Sequence, residues 1–111
     1  MKNNYPVFTK WMKILEYVMD RTEGFPKSVR YSFTNRILNF VNDILELVIE
    51  LIYTKERAVK FDRINLRLEK LRIYFRICES RNYLSHKQYY HLSKELDEFG
   101  RMIGGWKKSE I

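Results

Sequence analysis

The chain has 111 residues, 45% of them hydrophobic and 32% charged, with only 4 glycines and 2 prolines. This length fits a single domain, 1–111, that buries its own core, and the composition excludes a disordered chain. The formal net charge of +7 lies mostly in residues 57–111, where 13 Lys or Arg accompany 7 Asp or Glu. Such a charge favours an acidic partner, either nucleic acid or an anionic membrane surface.

The first predicted helix covers residues 7–21. Its apolar residues recur at steps of three and four, the spacing of one buried helix face: Phe8, Trp11, Met12, Leu15, Val18, Met19. Residues 22–26 end it, because they include a glycine and a residue held before proline. Residues 26–31 predict a turn or a short helical piece, and Ser32 or Thr34 is the expected N-cap of the next helix.

The second predicted helix covers residues 32–54 and is apolar around most of its circumference. Its core stripe is Ile37, Val41, Ile44, Val48 and Leu51, and further rows add Leu38, Leu45, Ile52, Phe40 and Leu47. Such a helix has to be covered from several sides, which three other helices in one small monomer barely achieve. Polar residues interrupt the segment, so it is no membrane span, which needs about 20 largely apolar residues.

The third and fourth predicted helices cover residues 57–81 and 86–104. Each has a stripe with the alternating three- and four-residue spacing of a bundle seam: Phe61, Ile64, Leu68, Leu71, Phe75, Cys78, and then Tyr89, Leu92, Leu96, Phe99, Ile103, Trp106. Ser85 is a good N-cap, and the glycines at 104–105 are expected to fray or end the last helix. Short connections join all four helices, which favours an all-α, antiparallel up-down four-helix bundle.

Basic residues form separate stripes on the last two predicted helices. Eight are candidates for contact with phosphate or a protein partner: Lys60, Arg63, Arg67, Arg72, Arg76, Lys87, Lys94, Arg101. Rows of this kind neutralise a phosphate backbone, and Tyr90 and His91 are surface candidates for stacking on bases. Taken singly, each basic residue also fits an ordinary solvated face paired with nearby acids such as Glu98.

A second apolar row on the third helix lies away from its core stripe. Val59, Leu66 and Ile73 are seven residues apart, and Ile77 continues the row. Because one helix cannot bury both faces in a single bundle, the row predicts a homo-oligomer or a permanent partner. Leu66, Ile73 and Ile77 are the candidate interface residues.

Enzyme chemistry has little support in the sequence. His86 and His91 are five residues apart, so they do not share a helix face or the HExxH spacing of a zinc site. The second helix carries three acids that imitate a carboxylate metal site: Asp43, Glu46, Glu50. A di-iron bundle needs ExxH motifs on facing helices, and the sequence has none. We therefore predict no enzyme activity, no cofactor and no metal.

Cys78 is the only cysteine, so no internal disulfide can form. Its place on the core stripe predicts a buried, small apolar side chain. Residues 1–11 contain no apolar stretch like that of a signal peptide. The expected location is the reducing cytoplasm.

The sequence resembles the accessory variability determinant proteins of diversity-generating retroelements. The matching segments are Leu71 to Phe75, Tyr83 to Tyr89 and Leu96 to Trp106, together with Phe25-Pro26-Lys27 and the basic Arg30 between the first two helices. A related four-helix-bundle family, encoded in insertions within bacterial 23S ribosomal RNA genes, has a small-residue segment at the end of its second helix. Here that place reads LELVIELIYTKER, which departs from the related family.

The resemblance implies a four-helix bundle that assembles as a basic, barrel-like pentameric ring. Such proteins bind the retroelement's reverse transcriptase and its template RNA, support error-prone cDNA synthesis, and have no catalysis of their own. The implied partners are further copies of the chain, the reverse transcriptase, and RNA with its cDNA or RNA–DNA hybrid, and no membrane. Two alternatives stay open: a general interaction bundle with an acidic protein partner, and an enzyme that uses the second-helix carboxylates with a metal.

Overall fold

The structure, a computed structural model, describes residues 5–110. Residues 1–4 and residue 111 lie outside this range. Residues 1–4 belong to the segment that the sequence analysis considers for a signal peptide. Its α-helices are α1 (Pro6–Thr22), α2 (Asn35–Tyr53), α3 (Ala58–Ser80) and α4 (His86–Ser109). No strand occurs in the described range, so the fold is all-α as predicted. α1 and α3 each pack against both α2 and α4, which gives an up-down four-helix bundle of 43 × 24 × 23 Å.

The core lies where the apolar stripes of the four helices meet. The predicted stripe of α3 is buried throughout, from Phe61 to Cys78, and four of the six predicted stripe residues of α4 are buried as well. The Trp11 ring lies 4.6 Å from the Phe99 ring between centroids, and its Nε1 donates to the carbonyl oxygen of Val41 at 2.9 Å. This hydrogen bond satisfies an enclosed polar atom and fixes α1 against α2.

The buried face of α1 is displaced from the predicted one. Val7 and Ile14 are buried, whereas Met19 is 50% exposed and Phe8 and Met12 are half-buried. Adjacent apolar residues occur in pairs along α1, so two faces fit the spacing equally well. Packing against the neighbouring helices selects one of them and leaves the other as an apolar flank.

α2 begins without the N-cap that was predicted at Ser32 or Thr34. A 3₁₀ turn, Lys27–Val29, and a π-helical turn, Arg30–Thr34, lead directly into the helix. Thr34 already has helical dihedral angles (φ −58°, ψ −42°), and its side chain caps nothing. The Asn35 amide donates instead to carbonyl oxygens of the π turn, so the first turn of α2 needs no side-chain cap.

Local signals define the turn between α3 and α4. Asn82 has a positive φ of 63°, and the Tyr83 amide donates to the carbonyl oxygen of Cys78 at 2.8 Å, as in a Schellman C-terminus. Two residues later, Ser85 and Gln88 form a reciprocal capping box at the start of α4. The predicted Ser85 cap is confirmed.

α4 continues through the glycines at 104–105 to Ser109, so the prediction that they end the helix is wrong. Trp106 explains the difference, because its ring lies 5.7 Å from the Phe61 ring and 6.0 Å from the Tyr5 ring, between centroids. Packing of this large side chain outweighs the roughly 1 kcal/mol that each interior glycine costs a helix.

Candidate nucleic-acid interface

The outer face of α4 carries a row of four basic residues, which we call the α4 stripe: Lys87, Lys94, Arg101, Lys108. All four side chains are exposed, and none makes an ion pair with residues 5–110. At 1.5 Å per residue, seven-residue steps place neighbouring charges about 10 Å apart along a row of about 30 Å. The α4 stripe is therefore a continuous line of solvated positive charge.

Acids of α4 face α1 instead of the stripe. The Lys10 ammonium donates to Glu95 at 2.8 Å and also to Glu98. Burial works to lower the pKa of Lys10, but the two carboxylates outweigh it and raise that pKa. The hydrogen bond and charge of Lys10, with a smaller effect of Lys94, lower the pKa of Glu98. Both carboxylates are paired with Lys10 of α1, and neither makes an ion pair with a cation of the α4 stripe.

Three of the five candidate basic residues on α3 are already engaged. Arg67 lies 3.5 Å from the Asp43 carboxylate of α2 and is half-buried. Arg72 pairs with Glu69 and with Asp97 of α4. Lys60 donates to the backbone carbonyl of Glu56 at 2.9 Å. These side chains join helices or cover helix ends, so their capacity for a further partner is lower than that of the α4 stripe.

Arg63 and Arg76 of α3 are exposed and make no ion pair with the described residues. Arg101 reaches α3, because it lines a groove of about 400 Å³ together with Arg72 and Asp97. The eight predicted residues thus divide into three exposed cations of α4, two exposed arginines of α3, and three α3 residues whose side chains are already engaged.

The second apolar row of α3 is solvent-exposed, and we call it the α3 strip. Val59, Leu66 and Ile73 are 60%, 56% and 58% exposed, and Ile77 is 41% exposed. The helical repeat of 3.6 residues places this strip opposite the stripe that runs from Phe61 to Cys78. α3 therefore presents one apolar face to the core and a second one to solvent.

The two candidates for stacking on bases, Tyr90 and His91, have different surroundings in the structure. Tyr90 is 65% exposed, whereas the His91 ring lies 4.8 Å from the Tyr17 ring between centroids and packs across α1 and α4. Sequence reasoning missed Tyr31, which is 84% exposed in the π turn. Its exposure depends on the path of the link, and no periodic pattern signals it.

The described residues offer little basis for metal binding, for thiol chemistry or for a membrane span. Among residues 5–110, no three His, Cys, Asp or Glu side chains lie together as metal ligands. Burial raises the pKa of the Cys78 thiol to about 12, so the reactive thiolate is scarce near neutral pH. Within the same part of the chain, no helix combines the length and the apolar character needed to cross a membrane.

The family comparison agrees with this arrangement of helices and charges. A family model described as bAvd-like matches residues 7–110. The chain belongs to the bAvd-like family. The bAvd-like family consists of accessory, non-catalytic proteins, and the predicted resemblance to accessory variability determinants is confirmed. No curated protein matches the chain.

Membership of the bAvd-like family covers all four helices, since the match begins at the first turn of α1 and ends just after α4. The α4 stripe and the α3 strip both lie inside the matched range. The side chains of both surfaces lie outside the core of the bundle. They are therefore the places to look for what this bAvd-like protein contacts.

Proposed function

We propose that this bAvd-like protein is a non-catalytic accessory factor of a retroelement reverse transcriptase. It holds template RNA, and the cDNA or hybrid made from it, on its basic surface and supports mutagenic cDNA synthesis in the cytoplasm. The observation that carries the proposal is the α4 stripe, a row of exposed and unpaired cations in a chain of this family. Cations in that state release counterions when they meet phosphates, which drives binding to RNA.

The basic residues have graded roles in this proposal. Lys87, Lys94 and Arg101 make the main phosphate contacts, because they are exposed and unpaired. Such contacts position an RNA without reading its sequence. Arg63 and Arg76 are free for the polymerase or for a longer RNA. Of the remaining three, Arg67 and Arg72 serve mainly to hold helices together, and Lys60 covers a backbone carbonyl just before α3.

Self-association is the second part of the proposal. The α3 strip, with Leu66, Ile73 and Ile77, forms the subunit interface of a ring-shaped homo-oligomer, a pentamer by resemblance to the family. Three of its four side chains are more than half exposed in one copy, and burial of aliphatic surface contributes about 25 cal/mol per Å² to association. A ring places several α4 stripes on one particle, which raises its avidity for a long RNA.

The direct test is a salt titration of RNA binding with a triple variant, Lys87→Gln, Lys94→Gln and Arg101→Gln. The probe is a short fluorescent single-stranded RNA, and affinity is measured at rising salt. Loss of three phosphate contacts should reduce the slope of log affinity against log salt by about 2, at roughly 0.7 per contact. A slope equal to that of the natural protein contradicts the role of the α4 stripe.

The control is a triple variant with the same net charge, Lys13→Gln, Lys27→Gln and Lys55→Gln. These lysines are exposed and lie off α4, so this variant should keep most of the slope. An equal loss in both variants means that only net charge matters. A protein that ignores RNA even at low salt but still captures its reverse transcriptase supports the alternative of a general interaction bundle with an acidic protein partner.

A further inference from the structure

Tyr90 of α4 is a large aromatic side chain that the bundle leaves in solvent. It is 65% exposed, and it makes no ring contact or hydrogen bond with the described residues. Its two neighbours in the sequence differ from it, because Tyr89 packs against the core and the His91 ring packs against the ring of Tyr17. The ring of Tyr90 is therefore available to a partner.

Two ionic contacts fix the register of α3 against α4 in this part of the bundle. Arg72 pairs with Asp97, and the Glu79 carboxylate lies 3.4 Å from Nδ1 of His86. The second contact lies close to the turn that joins the two helices, and the first lies farther from it, as antiparallel packing requires. The stretches of α3 and α4 between these two contacts therefore lie side by side along the bundle.

Arg76 and Tyr90 lie on the facing flanks of these two stretches. Arg76 comes four residues after Arg72, and Tyr90 comes four residues after His86. Residues four apart share one side of a helix. Both side chains are exposed, and Arg76 makes no ion pair with residues 5–110. An unpaired guanidinium is therefore placed near the free ring, at the outer edge of the seam between α3 and α4.

The α4 stripe runs along the other side of Tyr90. Lys87 and Lys94 lie one turn before and one turn after the ring, at about 4.5 and 6 Å from it along the helix axis. Neither lysine makes an ion pair with the described residues, and Asp97 on the same flank is paired with Arg72. The ring is thus surrounded by three cations that have no counterion within the bundle.

We propose that Tyr90 stacks on an unpaired base of the RNA that the α4 stripe binds, while Arg76 neutralises a phosphate of the same segment. This inference rests on the proposed function and specifies its substrate, which is RNA with unpaired bases. A ring among cations matches a single strand, because its bases and phosphates are both accessible. In a duplex the bases are stacked inside, and contacts are mostly with phosphates and 2′-hydroxyls. The protein should therefore prefer single-stranded RNA.

Tyr90→Ala tests the stacking contact with two fluorescent probes, a single-stranded RNA of mixed sequence and a blunt RNA duplex of the same length. Loss of one stacked base should weaken binding of the single strand at least about fivefold, whereas binding of the duplex should be unchanged. The salt dependence should also be unchanged, because the ring carries no charge. Tyr90→Trp keeps an aromatic face and should bind the single strand as the natural protein does.

Tyr53→Ala is the matched control for the loss of an exposed ring. Tyr53 is 61% exposed, close to the value for Tyr90, but it is the last residue of α2 and lies on neither α3 nor α4. This variant should bind both probes as the natural protein does. An equal loss of single-strand binding in the two alanine variants contradicts a specific role of Tyr90.

Arg76→Gln tests the cation that faces the ring. Loss of one phosphate contact should lower the slope of log affinity against log salt by about 0.7 on a single strand. Arg63→Gln is the matched control, because Arg63 is an exposed arginine of the same helix that lies about 140° around the helix from Arg76. The control should keep the slope of the natural protein. An unchanged slope in the Arg76 variant contradicts the phosphate contact.

The remaining outcomes separate failure of this inference from failure of the proposed function. Normal single-strand binding by Tyr90→Ala, with a reduced slope in the triple variant of the α4 stripe, removes the stacked base and leaves the RNA-binding proposal standing. Equal losses on single strand and duplex, with helicity by circular dichroism unchanged, overturn the preference for unpaired bases. Loss of reverse-transcriptase capture with normal RNA binding assigns Tyr90 to the polymerase instead. A natural protein that binds neither probe overturns both proposals.

Discussion

The glycines at 104–105 offer a sharp test of how α4 ends. Both lie inside the helix, and a Cβ atom built at either position meets nothing within 4 Å. Alanine is better than glycine in a helix interior by about 0.8–1.0 kcal/mol per residue. The double variant Gly104→Ala with Gly105→Ala should therefore raise the free energy of unfolding by about 1.6–2 kcal/mol, since no steric conflict offsets the gain.

Urea unfolding at fixed protein concentration measures this change, because self-association makes apparent stability depend on concentration. Lys108→Ala is the matched control: the side chain is exposed, lies in the same turn and makes no ion pair with the described residues, so its effect should stay within about 0.5 kcal/mol. Amide hydrogen exchange gives an independent readout, since residues 106–109 should be protected. Exchange of these amides at the rate of an unfolded chain, with no gain in stability, would refute the reasoning and restore a helix that ends at residue 104.

Three further predictions concern the turn before α4, the ion pair between Lys10 and Glu98, and the buried cysteine. Replacing Asn82, whose φ is 63°, with glycine should stabilise the protein by about 1 kcal/mol, whereas Asn82→Val should destabilise it by more; thermal melting measures both. The pKa of Glu98 is lowered from 4.5, so its contribution to stability is present above pH 4.5 and is lost as the pH falls through its folded-state pKa; Lys10→Met should flatten the urea midpoint over that acidic range. Because the Cys78 pKa is about 12, a thiol reagent at pH 8 should label only urea-unfolded protein, and rapid labelling of the native protein would contradict its burial.

The sequence predicts the core of α3 and α4 well because each core stripe keeps the alternating three- and four-residue spacing along its helix, whereas the α3 strip advances mainly in steps of seven. The buried face of α1 is harder to predict, because Val7 and Phe8, and likewise Ile14 and Leu15, are adjacent and fit two neighbouring faces of the helix. The start of α2 could not be predicted either. Its first turn depends on a π-helical link that is held by backbone hydrogen bonds. Backbone bonds of this kind require no particular side chain, so the sequence contains no signal for them.

In the candidate site, too, one part could be predicted from the sequence and another part could not. Exposure of the α4 stripe follows from a seven-residue spacing, which the sequence displays directly. Engagement of Arg72 does not follow, because one of its acidic partners, Asp97, is 25 residues away in the chain. Spacing identifies the face of a helix on which a charge lies, whereas only the packing of helices decides whether that charge already has a counterion.

The two ends of the described chain meet at one end of the bundle, where the ring of Tyr5 lies 6.0 Å from that of Trp106. A short flexible linker can therefore span from the beginning of α1 to the end of α4, and new ends can open in the connection around residues 54–57. The resulting circular permutant keeps the same helix neighbours in a different chain order. Residues 5 and 110 both lie at the end of the bundle far from Lys87, so a fluorescent protein joined at either residue is remote from the first cation of α4.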